Sequence, residues 1–312
     1  MHPQANKLKI YLYSGFSLSL ILAALYVVGF STSFDRTVGY FDASLVTSIM
    51  HAVLALSILW MASLLVLMPR SGMLTGAPAM SGFSKKFVYI VTLTFVVSTY
   101  LHTQLIAASV VSVIGSVLGG VSVAYFGFTA IEPDANPEKR SLLGYGVIGW
   151  AFLSIIDAYF NDYVTMNSPV KLLLIFSMVF VMLFQLQEEG YFVGRGRPRL
   201  YVVFGLLNVL ISSSFAISYI FCTVAKIYSI PEFLPTAIVS LAHAVYTVGR
   251  LIDMCAVSDN AVTESVTAAE KDGEAVDSLE PAEPAGDPDI PEDVEDSADA
   301  SDITDITDSS DR

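Results

Sequence analysis

Two imidazoles and a carboxylate, His51, His102 and Asp157, are the side chains of this chain with the most chemistry to offer. Gathered in one outward-facing pocket, with Asn161 and Asp162 just beyond, they would suit a metal ion or a proton-sensitive ligand. They come from three separate apolar stretches without a local spacing motif, so individual hydrogen bonding inside a helix bundle is the competing reading. A second group, Glu189 with Arg195, Arg197 and Arg199 on a glycine-bearing loop, has the guanidiniums to hold a phosphate, an anionic lipid headgroup or the chain's own acidic tail. Setting the orientation of the chain explains the same arginines more simply. A third, Asn208 and His243, could begin a polar path at mid-membrane depth, assisted by Ser212, Ser213 and Ser214; helix–helix hydrogen bonding is its alternative.

Other chemistries have no footing. There is no Walker pattern, no H-E-x-x-H, no G-x-S-x-G and no cysteine or histidine cluster with zinc spacing. No lysine is expected within a span, which argues against a retinal Schiff base. No cofactor is implied, and the expectation is a non-enzymatic protein. Cys222 and Cys255 belong near opposite membrane faces and should not pair.

The elements that must position these residues are membrane helices. The chain is 54% hydrophobic and 15% charged, with a mean hydropathy of +0.62. Its apolar residues fall in runs of about 20, the length of helix that crosses ~30 Å of hydrocarbon with every backbone polar group satisfied. Strict two-residue alternation is missing, which disfavours a β-barrel. The hydropathy pattern predicts an all-α bundle of eight spans at 8–30, 43–68, 87–106, 109–131, 141–160, 169–187, 200–221 and 232–254. The stretch 87–131 is too long for one span and is read as two joined by a tight turn. The first span, preceded by Lys7 and Lys9, is read as an uncleaved signal anchor.

Lysine and arginine support that count. Alternate loops and ends carry Lys7 and Lys9; Arg70, Lys85 and Lys86; Lys139 and Arg140; the three loop arginines; and Arg250. The others carry only Arg36, Lys171 and Lys226, eleven cations against three. Cytoplasmic loops are the cation-rich ones, so both termini are expected inside. Ser168 before Pro169 reads as an N-cap and first helical position. Arg250 and Asp253 are placed to pair along the last helix. In the fourth span Ala108, Ser112, Ser116, Gly120 and Ala124, with Gly115 and Gly119 alongside, form a small-residue ridge suited to close helix packing within the bundle or to a homodimer. Matching the first four spans to the last four aligns the cationic loops but not the residues, so an inverted-repeat transporter design gains nothing.

The last segment is a different object. Residues 258–312 carry 19 carboxylates against two cations, with no aromatic residue, whereas residues 1–257 carry 14 cations against 11 carboxylates. The expected organisation is a membrane domain over 1–257 and a disordered acidic tail over 258–312. The tail ends in a three-residue repeat, Asp302, Ile303, Thr304, Asp305, Ile306, Thr307 and Asp308, which offers hydroxyls for phosphorylation and carboxylates for a basic partner. Its charge excludes nucleic acid and repels anionic lipid.

Around Met166, Asn167, Ser168, Pro169 and Lys171, followed by Glu189, Gly194, Arg195, Pro198 and Arg199, the chain resembles an uncharacterised group of polytopic membrane proteins from Gram-positive, clostridia-like bacteria. The resemblance spans mainly the fifth to seventh helices and carries no activity with it. It implies a bacterial cytoplasmic membrane and singles out the Glu189 to Arg199 stretch as a shared element. Two functions follow as expectations: a membrane sensor or regulatory scaffold with a cytoplasmic protein partner, and, as the alternative, a small-solute transporter. Membrane lipid is a partner in either case.

Overall fold

The computed structural model describes residues 3–35, 39–67, 80–105, 110–131, 137–161 and 168–277. Its helices are α1 (Pro3–Thr32), α2 (Leu45–Leu67), α3 (Gly82–Leu105), α4 (Val110–Ile131), α5 (Pro137–Phe160), α6 (Pro169–Phe192), α7 (Pro198–Val224) and α8 (Leu234–Asp277). All eight are long and apolar enough to cross a membrane, so this is a multi-pass membrane protein. Each predicted span falls on its own helix, and α3 and α4 are separate elements. The turn between them lies outside the described residues.

The differences are at the ends. α6 continues to Phe192, five residues past its expected end, and this draws Glu188 and Glu189 into the helix. α8 continues as helix to Asp277, through the first part of the segment expected to be disordered. Residues 278–312, with the terminal repeat, lie outside the described residues, as do Arg36, Arg70, Ala108 and Asp162. By its contacts the chain divides into Met1–Val266, which contains the eight spans, and Thr267–Arg312.

α7 and α8 are the most buried spans. α7 packs against α1, α2 and α6, and the series continues from α6 to α5, α4 and α3. α8 touches several of these: Gly249 lies against Phe87 and Ser84 of α3, His243 against Phe126 of α4, and its polar side chains bond to α6 and α7. Glycines set some of these approaches. A methyl group at Gly15 of α1 would stand 2.8 Å from Leu206 of α7, and one at Gly146 of α5 only 2.4 Å from Val121 of α4.

Two helix ends are closed the same way. At the end of α6 the Gly194 and Arg195 amides donate to Tyr191 and Gly190, with Gly194 at φ +73°. At the end of α7 the Lys226 and Ile227 amides donate to Thr223 and Cys222, with Lys226 at φ +54°. Both are Schellman motifs, which satisfy carbonyls the helix leaves open. The α7–α8 connection is then pinned by Tyr219, whose hydroxyl donates to the Ile230 carbonyl and accepts from the Ile230 amide at 2.8 Å.

Between α1 and α2 a two-residue hairpin pairs β1 (Phe34–Asp35) with β2 (Tyr40–Phe41) and stacks Phe30, Phe34, Phe41 and Tyr228 together. Ser168 does occupy the N-cap of α6, ahead of Pro169, but makes no side-chain cap; its hydroxyl donates instead to the Gly39 carbonyl at 3.3 Å. The proline at the first helical position removes one of the amides that needed capping, which frees the hydroxyl for the hairpin.

Candidate functional site

Helical spacing puts Gln185, Glu188 and Glu189 on one face of α6, and Tyr246, Arg250 and Asp253 on one face of α8. Where the two faces meet, Arg250 Nε donates to Glu188 Oε1 at 2.7 Å, and the Tyr246 hydroxyl donates to the same oxygen at 2.8 Å. Arg250 Nη1 reaches Asp253 Oδ2 at 3.2 Å, and that oxygen also accepts the Ser81 amide ahead of α3 at 3.4 Å. Glu188, Arg250 and Asp253 are 0%, 1% and 3% exposed. Charges so far from water persist only when paired, and stripping one partner from such a pair costs about 3–5 kcal/mol.

Glu189 belongs to the same layer but points toward α5. Gln185 Nε2 donates to its Oε1 at 2.6 Å, and the Tyr125 hydroxyl faces it from α4. Gly144 of α5 leaves the space: a methyl group there would lie 2.0 Å from Glu189 Oε1. One turn earlier on α5, buried Arg140 stacks its guanidinium 3.7 Å from the centre of the Phe192 ring. A layer of five buried charged residues on three helices is thereby assembled.

A neutral seam continues from this layer into the bundle. Asn208 of α7 donates through Nδ2 to Thr247 Oγ1 at 2.8 Å and contacts His243 Nδ1 at 3.1 Å, while its Oδ1 accepts from Ser212 at 2.9 Å. With the amide so oriented, His243 Nδ1 is the acceptor and its proton sits on Nε2, among the rings of Phe126 and Phe184. Ser212 bonds to Ser177 at 2.8 Å, and Ser177 to Ser240 at 3.2 Å. Asn208 and His243, the candidates for a polar path, are joined directly, and both residues are fully buried in protein.

The outward trio is placed differently. His51 is exposed on α2, whose main contacts are with α1 and α7. His102 and Asp157, on α3 and α5, lie within electrostatic reach of one another, and Glu232 joins them as a third charge acting on Asp157. Among the described residues no group of three histidine, cysteine or carboxylate side chains is arranged to hold a metal ion. The candidate pocket is corrected to a pair: the three helices bring His102 and Asp157 together and carry His51 to another flank. Glu232 also borders an open groove of about 370 Å³ lined by Tyr228, Ser229, Ile230 and Pro231.

The cationic loop is corrected as well. Arg195 and Arg197 are exposed, and Arg199 donates to the Leu65 carbonyl near the end of α2 at 3.2 Å, where a cation complements the helix dipole. Glu189 is not with them, because the helix carries it inward. Lys171, expected in a loop, is buried in the first turn of α6 and donates to the Asn161 carbonyl at 3.0 Å, so a span does hold a lysine. The ridge on α4 splits: Ser112, Gly115 and Gly119 are buried, with Gly119 against Thr99 of α3 and Gly115 against His102, while Gly120 and Ala124 are exposed. Cys222 and Cys255 are both buried.

Arg250 with Asp253 was legible as an ion pair along one helix; Glu188 as the main partner of Arg250 was not. The signal was there in Gly190, Tyr191 and Phe192, which prolong the sixth apolar run beyond the two glutamates. No protein-family model, curated protein or solved structure matches this chain.

Proposed function

We propose that this multi-pass membrane protein is a non-enzymatic sensor or regulatory scaffold, with the charged layer between α5, α6 and α8 as its responsive element. The observation that carries the reading is Arg250, held between Glu188 and Asp253 in the interior of the bundle. Ionisable groups at such depth are costly and mark function more often than stability. An ion-pair layer that joins separate helices has alternative pairings, which is what a two-state element needs. The partners in this reading are membrane lipid and a cytoplasmic protein engaged through the acidic segment or the exposed Arg195 and Arg197. The asymmetry of lysine and arginine supports cytoplasmic termini, and the resemblance above supports a bacterial cytoplasmic membrane. A homodimer along exposed Gly120 and Ala124 is compatible with it.

The second reading, a small-solute transporter, draws on the seam from Asn208 and His243 to Ser240. That seam is closed by its own hydrogen bonds and fully packed, which favours the first reading. Flux measurements on the full-length protein in liposomes separate the two. The sensor reading expects no flux of protons, amino acids, sugars or common inorganic ions above that of protein-free vesicles. Flux of any of them that is lost in Asn208→Ala and His243→Ala would replace it with transport.

A further inference from the structure

The charged layer contains two guanidiniums, on Arg140 and Arg250, and three carboxylates, on Glu188, Glu189 and Asp253, each at most 4% exposed. Glu188 and Asp253 share Arg250. Glu189 takes its hydrogen bond from an uncharged donor, Gln185, and its Oε2 is buried with no hydrogen-bond partner. Oε2 of Glu188, fully buried, is likewise without one. With every carboxylate ionised the layer would hold an excess negative charge deep in the protein. One proton on Glu189 removes that excess and converts an orphaned acceptor into a donor.

We propose that Glu189 is a reversible proton-binding site in the interior of the helix bundle and that the proton is the ligand to which the α5–α6–α8 layer responds, a proposal that rests on the sensor reading for its consequence. The groups that face the site are Tyr125 from α4, Arg140 from α5, Gln185 and Glu188 from α6, and Tyr246 and Arg250 from α8, with Tyr201 of α7 beside Glu188. Proton loss leaves a carboxylate on Glu189 and a proton in the medium, and changes no other bond. The new charge is repelled by Glu188 and attracts Arg140, which sits one turn from Gly144 on α5 and presently rests on the Phe192 ring. Movement of that guanidinium from ring to carboxylate couples proton loss to the contact between α5 and α6.

Infrared spectroscopy of the full-length protein in liposomes, titrated with pH, tests the site. The expected result is a carboxylic C=O band that persists at neutral pH, bleaches on alkalinisation and is missing in Glu189→Gln. Gln185→Leu, which removes the donor to Oε1, serves if Glu189→Gln fails to fold, and should displace the same band. No protonated carboxyl at neutral pH, a band that survives Glu189→Gln, or a band unmoved by Gln185→Leu overturns the proposal. Hydrogen exchange of α5 and α6 is followed across the same titration. A bleaching band with altered exchange supports both site and sensor; a bleaching band with unaltered exchange keeps the proton site and overturns the sensor reading.

Discussion

Arg250 on α8 and Glu188 on α6, 62 positions apart in sequence, meet at 2.7 Å with both side chains sealed from solvent. The pair ties the most polar faces of two apolar helices together at one level of the bundle. Its energetics are asymmetric, because Arg250 serves two carboxylates and Glu188 one guanidinium.

Arg250→Met should therefore destabilise more than Glu188→Gln. The first leaves two buried carboxylates without their cation and should cost about 3–5 kcal/mol or more; the second leaves Arg250 with Asp253. Thermal unfolding of the purified variants in nanodiscs reads the order, and equal losses would contradict it.

Gly144→Ala should cost about 1–3 kcal/mol, since its methyl group occupies the place of the Glu189 carboxylate. Adding Glu189→Ala should recover part of that loss. Strict additivity in the double-variant cycle would show that the two residues do not share the space.

The two Schellman ends make opposite predictions. Gly194→Ala puts a Cβ at φ +73° and should lose about 1–2 kcal/mol, whereas Lys226→Gly relieves φ +54° and should gain up to about 1 kcal/mol after the extra freedom of glycine in the unfolded chain is counted. Chemical unfolding of each variant beside the parent is the measurement.

Tyr219→Phe removes both bonds to Ile230 and leaves its buried backbone amide without a partner, while its carbonyl keeps the Phe233 amide, for an expected loss of about 1–3 kcal/mol. Hydrogen exchange should rise first between Lys226 and Phe233. A rise confined to other segments would mean that the connection is held elsewhere.

Tyr228, in the α7–α8 connection, has its phenol pushed above the ordinary value of 10.0 by burial, with a hydrogen bond to Ser168 acting the other way. A group raised on folding contributes its stability below the unfolded value and loses it as pH climbs through the folded one. Stability should hold up to about pH 10 and fall above it. Tyr228→Phe should flatten that alkaline fall, and an unchanged slope would assign it to other tyrosines.

The eight helices could be read from residue types alone, because hydrocarbon imposes a length and a polarity on each span independently of its neighbours. Pro169 marked the start of α6 for an equally local reason. The pairing of Arg250 with Asp253 was legible too, since three residues on a helix are neighbours in space. What the residues alone could not decide is which faces meet. His51 parted from His102 and Asp157, and Glu189 from the loop arginines, because distance across a bundle depends on helix order and rotation, which no local pattern encodes. Tertiary packing alone brought Glu188 to Arg250 and left Gly144 open for Glu189, since a buried charge takes its partner from whichever helix the fold sets against it.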